Sequence, residues 1–377
     1  MEREQKQAII RDLSKKLVLL AGPRQAGKTT LAKEIGAHFE NSVYLNYDRL
    51  EDRNIIKQEA WLPKTDLLIL DEIHKMPKWK NYLKGVFDTK NPHLKILVTG
   101  SARLDIFRQA GDSLAGRYYL HHLLPLSPAE LVSVGHDSDI NRFLERGGFP
   151  EPYLAADLVD AKRWRLQYVD SLFREEILSM ENVHDLRAMQ LIFELLRKRV
   201  GSAVSYVSLA EDVGISVNTV KRYIGIFEAL YLVFRVTPFS NNIARSLLKE
   251  PKIYFFDVGL VDGDIGAKLE NLFAVSLLKY TLLKTDYAAE PYALHYLRTK
   301  EKQKVDFAIC NGGKVEQIIE VKTGDKSLSR ELIYFHSKYG FPTTQAVLNL
   351  KRERMEKGIS VRTADDFLEK LQGLSLG

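Results

Sequence analysis

One cysteine, Cys310, is all that a chain of 377 residues contains. A lone thiol excludes intramolecular disulfides and cysteine-based zinc sites, and it fits a reducing compartment. No stretch approaches 18 consecutive apolar residues, so no membrane-spanning helix is expected. The charged start Met1-Glu2-Arg3-Glu4-Gln5-Lys6 leads into no signal-type apolar segment, and the expectation is a cytoplasmic chain. Internal repeats and low-complexity tracts are missing too. Neither sign of charge dominates: 55 Lys and Arg against 49 Asp and Glu leave +6, which suits a polyanionic partner without demanding one. With 45% hydrophobic and 28% charged residues the chain has a globular composition. Its length exceeds one ordinary core and predicts two or three domains.

Against these absences stands one complete motif. Gly22-Pro23-Arg24-Gln25-Ala26-Gly27-Lys28-Thr29 fits G-x-x-x-x-G-K-[ST], and the apolar run Leu17-Val18-Leu19-Leu20-Ala21 leads into it. Glycines allow a tight loop whose backbone N–H groups surround phosphate oxygens, Lys28 reaches the β/γ-phosphates, and the Thr29 hydroxyl ligates Mg²⁺. The next residues, from Thr30 to Ile35, read as a helix whose N-terminus adds positive partial charge beneath the phosphates. The implied ligand is ATP with Mg²⁺.

Further β-like runs at 43–47, 66–71, 95–99 and about 118–124 alternate with helical stretches and are apolar on both faces. That pattern predicts a parallel sheet covered on each side. The third run ends in Asp71-Glu72. Asp71 can hold Mg²⁺ through water, and Glu72 can orient and deprotonate the attacking water. The fourth ends in Thr99-Gly100-Ser101, where Thr99 or Ser101 can sense the nucleotide or Ser101 can simply cap a helix. Arg117 can meet the charge that develops on the transferring phosphoryl group, or be an ordinary surface arginine.

In that order, the phosphate loop, Leu70-Asp71-Glu72, Thr99-Gly100-Ser101, Ala115-Gly116-Arg117, Pro125-Leu126-Ser127 and Gly147-Gly148-Phe149-Pro150 resemble a prokaryotic family of AAA-type ATPases. In that family the ATPase is followed by a winged helix and a domain related to PD-(D/E)XK nucleases. The resemblance covers most of the chain. It implies a five-stranded core, a small helical lid, and an Arg117 that belongs to the nucleotide site, in cis or reaching a neighbouring subunit of a homo-oligomer.

Residues 205–232 read as two helices around Gly214, the second capped by Ser216 and carrying Val220, Ile224, Phe227 and Leu230 at helical spacing. The run 232–236 can form the wing. Asn218, Thr219, Lys221 and Arg222 fall at the start of the second helix, the end that enters a DNA groove in such motifs. Winged helices also serve as protein-binding modules or spacers, so DNA is one partner class among others.

Near the end, Val305-Asp306-Phe307-Ala308-Ile309 alternates, and Glu320 and Lys322 share one face of a second run. If the runs are neighbours, Asp306 and Glu320 suit Mg²⁺ or Mn²⁺, and Lys322 can activate water or stabilise a pentacovalent phosphate. Glu270, on a helix expected over 267–284, can complete the metal shell. This arrangement is similar to the PD-(D/E)XK signature and to the last domain of the family above, which also matches at Tyr254-Phe255-Phe256-Asp257-Val258-Gly259. The same fold can equally bind without cutting.

The expected organisation is α/β: a P-loop AAA-type parallel-sheet core (1–135), a helical lid (136–185), a winged helix (186–250) and a restriction-endonuclease-like α/β domain (251–377). The expected function is an ATP-hydrolysing, DNA-associated protein with a metal-dependent nuclease domain. The alternatives are a nucleotide-gated interaction ATPase whose last domain only binds, and a DNA-remodelling motor.

Overall fold

Each apolar run of the first 124 residues folds into a strand: β1 (Leu17–Ala21), β2 (Ser42–Asn46), β3 (Leu67–Asp71), β4 (Lys95–Thr99) and β5 (Tyr118–His122). The computed structural model describes residues 2–100, 114–177, 185–240, 249–299 and 303–371. The strands form one sheet in the order β2-β3-β4-β1-β5, every pair parallel. Side chains alternate across it. Leu17, Leu19 and Ala21 join one apolar cluster with Leu83 and Val86, while Val18 and Leu20 join another with Leu31 and Ile35. Both faces are therefore buried, which explains strands without polar alternation. Helices α1 (Lys6–Leu13), α2 (Lys28–Gly36), α3 (Leu50–Gln58) and α4 (Trp79–Thr89) accompany these strands.

The chain divides into two units: Met1–Leu124 with Ala229–Tyr231, and Pro125–Glu228 with Leu232–Gly377. The second begins with short helices α5 (Pro128–Ser133), α6 (Ile140–Arg146) and α7 (Pro150–Leu154). Helix α8 (Leu158–Ser171) runs on into a π-helical turn, Leu172–Ile177. Then come α9 (Leu186–Arg197), α10 (Tyr206–Val213) and α11 (Val217–Ala229). Gly214 ends α10 in the left-handed region, and Ser216 Oγ accepts from Thr219 N–H at 3.1 Å, so the two helices are punctuated as their sequence predicts.

Strands β6 (Val233–Pro238), β7 (Lys252–Phe255), β8 (Tyr292–Arg298), β9 (Lys304–Asn311), β10 (Lys314–Gly324), β11 (Thr343–Asn349), β12 (Arg354–Glu356) and β13 (Ile359–Thr363) make a mixed eight-stranded sheet, ordered β12-β13-β11-β10-β9-β8-β6-β7. The run 232–236, expected to form the wing, falls largely in β6. It pairs antiparallel with β7 and, through Thr237 and Pro238, parallel with β8. It is thus built into the larger sheet. Helices α12 (Ile265–Ala288), α13 (Arg330–Tyr339) and α14 (Ala364–Glu369) accompany these strands. A fully buried ion pair, Glu130 with Lys279, ties α5 to α12, and Lys279 Nζ also donates to Pro125 O at 3.1 Å. Arg165 Nε donates to Asp257 Oδ2 at 2.7 Å. Among the described residues, no helix is long and apolar enough to cross a membrane.

Candidate nucleotide site

The phosphate loop joins the C-terminal end of β1 to α2. Gly22 has φ +151°, and a Cβ there would lie 2.2 Å from the Leu123 carbonyl oxygen, so no side chain fits. Gly27 precedes α2 at φ +94°, a left-handed conformation that favours glycine. Lys28 opens the helix, and its ammonium donates to Gly22 O at 2.9 Å and Pro23 O at 2.6 Å. Thr30 is exposed in the first turn, Gln25 is exposed in the loop, Arg24 is half-buried and Ala26 buried. Arg3, which no motif points to, donates to Ala26 O and Leu124 O, each at 2.6 Å. It pins the loop from beneath.

Parallel pairing sets β3 beside β4 and β2, and with the start of α2 this brings three hydroxyls to the buried Asp71. Thr29 Oγ1 donates to its Oδ2 at 2.9 Å, Tyr44 Oη to the same oxygen at 2.6 Å, and Thr99 Oγ1 to Oδ1. Burial, and then the bond to Asp71, raise the Tyr44 pKa, so this hydroxyl stays a donor. Thr99 is fully buried with its hydroxyl committed to Asp71. It therefore orients the carboxylate, which differs from the expected direct sensing of nucleotide. Ser101 lies outside the described residues.

Glu72 follows at φ +56°, a left-handed non-glycine residue whose N–H donates to Thr99 O at 3.1 Å. Backbone strain of this kind concentrates at functional sites. Its Oε2 lies 3.4 Å from Lys75 Nζ and 3.5 Å from His74 Nε2. Burial raises its pKa and Asp71 adds to that, against Lys75 and Lys28; a carboxylate so placed is a stronger base than an exposed one.

Lys28 shows the converse. Burial pulls its pKa down to about 8, opposed by Glu72 and Asp71. Phosphate binding needs the charged form, so affinity for nucleotide is full below pH 8 and falls as pH rises through that value, by about tenfold per unit well above it. Titrating a fluorescent ATP analogue between pH 7 and 9.5 checks this; a flat affinity would mean that Lys28 keeps its proton throughout.

Arg117 sits elsewhere. It precedes β5, and Leu17 N–H donates to its carbonyl, so it lies at the N-terminal edge of β1. The phosphate loop leaves the opposite end, about 13 Å away at roughly 3.3 Å per residue. Its guanidinium holds Asp88 through Nε at 2.7 Å and Nη2 at 3.0 Å.

In the C-terminal sheet, β9 and β10 pair antiparallel, and Val321 N–H donates to Asp306 Oδ2 at 3.1 Å. Glu320 and Lys322 meet at 2.6 Å, and burial and then Asp306 push the Glu320 pKa up to about 7. The expected divalent-metal set of Glu270, Asp306 and Glu320 needs correction. Lys252 stands between two of its members, with Nζ 2.8 Å from Glu270 Oε1 and 3.2 Å from Asp306 Oδ1. Among the described residues, no group of three or more His, Cys, Asp or Glu is arranged to hold a metal ion. On α11, Asn218, Lys221 and Arg222 are exposed and Thr219 half-buried. Residues 300–302, between β8 and β9, lie outside the described residues.

Residues 14–132 match the model of an AAA domain. Residues 137–268 and 265–364 match two domains of unknown function, DUF8612 and DUF4143. An uncharacterized protein of Mycobacterium tuberculosis is 24% identical, over 94% of this chain and 84% of its own. An uncharacterized protein of Methanocaldococcus jannaschii is 23% identical, over 83% and 76%. Among solved structures, a Walker-type ATPase of Pyrococcus abyssi aligns over 70% of this chain and 94% of its own, at 14% identity and a TM-score of 0.44. RuvB of Thermotoga maritima aligns over 61% and 88%, at 18% and 0.33. The phosphate loop, Asp71 and Glu72 all fall inside residues 14–132, the part of the chain that matches an AAA domain.

Proposed function

We propose that this chain binds ATP at residues 22–30 and hydrolyses it with Glu72 as the base. The observation that carries the reading is the convergence of Lys28, the Thr29–Asp71 bond of 2.9 Å and Glu72 at the C-terminal ends of β1 and β3. A hydroxyl beside a carboxylate is a donor set that suits Mg²⁺. Thr29 and Asp71 would hold that ion, whose chemistry is to neutralise charge on the β- and γ-phosphates. Lys28 leaves the loop carbonyls for the phosphates. Asp71 is oriented by its three hydroxyl donors. Glu72 takes a proton from the attacking water.

Arg117 we assign to the site of a neighbouring copy, because it stands at the far edge of its own sheet. Arg117→Ala is then expected to slow turnover by about 10³-fold with little change in ATP affinity, since its partner charge develops in the transition state. Mixing it with Glu72→Gln chains should restore part of the rate, because one copy keeps the base and the other the arginine. Wild-type turnover in Arg117→Ala would reduce it to an ion pair with Asp88.

For the C-terminal domain we favour binding over cleavage, since an ammonium lies between the carboxylates that a nuclease would give to metal. DNA association is a second reading, favoured by exposed Lys221 and Arg222 at the start of α11. It predicts affinity that falls steeply with salt and drops in Lys221→Ala/Arg222→Ala. Fluorescence anisotropy with duplex DNA reads both; an unchanged dissociation constant in the double variant would remove α11 as the reader.

A further inference from the structure

Lys252 opens β7 directly after Pro251, yet its side chain is only 2% exposed. An ammonium buried this deeply needs partners, and the surroundings supply four. Glu270 Oε1 and Asp306 Oδ1 accept hydrogen bonds from it at 2.8 and 3.2 Å. The rings of Tyr296 and Phe307 face it at 5.7 and 5.8 Å from their centroids, within cation–π range. Aromatic faces attract an ammonium but are poor ligands for Mg²⁺ or Mn²⁺, which take oxygen donors. The carboxylates carry other bonds as well: Tyr254 Oη donates to Glu270 Oε1 at 2.6 Å, and Val321 N–H to Asp306 Oδ2 at 3.1 Å.

We propose that the Lys252 ammonium is a built-in counter-ion standing where a divalent cation would otherwise sit between Glu270 and Asp306, so that this site works without metal. The residues present do not fit a divalent ion, because it would meet a positive charge already bonded to both of its carboxylates. Burial alone would lower the Lys252 pKa, but Asp306 and Glu270 outweigh it and hold the side chain charged. The nearest further acceptor in this cluster, Glu320, is engaged by Lys322 through Oε1. Two lysines thus answer three carboxylates, and the cluster needs no metal to be nearly neutral.

A consequence follows that sequence motifs do not contain. Removing Lys252 leaves Glu270 and Asp306 with no cation between them, and Glu320 with its partner Lys322 beside them. That arrangement is an acidic cavity of the kind that binds Mn²⁺. The wild type should therefore ignore Mn²⁺ at this site, and a Lys252 variant should acquire it.

The inference rests on reading the domain as a binding module. Its experiment reads metal occupancy and not cleavage, so cleavage that needs no metal would overturn that reading alone. Thermal unfolding of the full chain is followed without nucleotide, in EDTA and in Mn²⁺, for wild type, Asp306→Ala, Lys252→Ala, Lys252→Gln and Lys252→Ala/Asp306→Ala. Wild type should melt at one temperature in both buffers. Lys252→Ala should melt lower in EDTA and recover with Mn²⁺, and the recovery should vanish when Asp306 is also removed. If Lys252→Ala proves too unstable to purify, Lys252→Gln keeps a donor and the bulk, and should give the same Mn²⁺ response. Two results would overturn the proposal: Mn²⁺ stabilisation of wild type that is lost in Asp306→Ala, or folded Lys252 variants that do not respond to Mn²⁺.

Discussion

Glu72→Gln is expected to bind ATP about as well as wild type and to hydrolyse it 10²- to 10⁴-fold more slowly, roughly the worth of a positioned general base. The amide has nearly the same shape, so it leaves intact the backbone bond from Glu72 N–H to Thr99 O that fixes the left-handed turn. What it removes is basicity. Burial and Asp71 raise the proton affinity of Glu72, while Lys75 and Lys28 restrain it. A rate loss of this size corresponds to about 3–5 kcal/mol of transition-state free energy, more than any loss of packing at a side chain that is 23% exposed. Equilibrium binding of labelled ATP alongside single-turnover hydrolysis separates the two effects. Turnover near the wild-type rate would take Glu72 out of the chemistry and pass the role to another group near the γ-phosphate.

The second large effect concerns stability. Glu130 and Lys279 are 0% and 3% exposed and bonded to each other. Removing either leaves an uncompensated charge in a dry environment, and such losses run to about 3–5 kcal/mol. Glu130→Leu and Lys279→Met should each lower the urea midpoint strongly. The double variant Glu130→Leu/Lys279→Met should recover most of that loss, because two apolar groups of similar volume replace a pair whose Coulomb gain only offsets its desolvation. Additive losses in the double variant would mean that the pair is not the reason for either one. The pair also gives Pro125-Leu126-Ser127 a physical meaning. Lys279 Nζ reaches Pro125 O, Leu126 N–H donates to Gly148 O at 2.7 Å, and Ser127 caps α5.

Much of the nucleotide site is legible because its determinants are local. β1 and β4 occupy the residues that their apolar runs predict, and α2 starts within the phosphate loop. Local pattern also places Gly214 and Ser216 at the helix ends they control. Residues whose role depends on strand order are hidden. Tyr44 reaches Asp71 only because β2 is the neighbour of β3, a pairing that no motif encodes. Lys252 meets Asp306 across 54 positions of sequence, so the D…ExK spacing reads as a metal site until the ammonium is placed. Arg3 is a similar case, since its two carbonyl partners belong to the loop and to Leu124, two residues past β5. Arg117 differs, because its location follows from simple geometry. A residue that precedes a strand of a parallel sheet lies opposite the loops that follow the strands, and chain order alone gives no such distance.

The central claim is that residues 22–30 with Asp71 and Glu72 hydrolyse ATP. Phosphate release from Mg²⁺-ATP by the wild-type chain and by Lys28→Ala, measured side by side at pH 7.5, tests it most directly. The account predicts steady release by wild type and none above background in Lys28→Ala, because the cation that faces the β/γ-phosphates is gone. Equal release from both proteins, or none from wild type across a range of ATP concentrations, would contradict it.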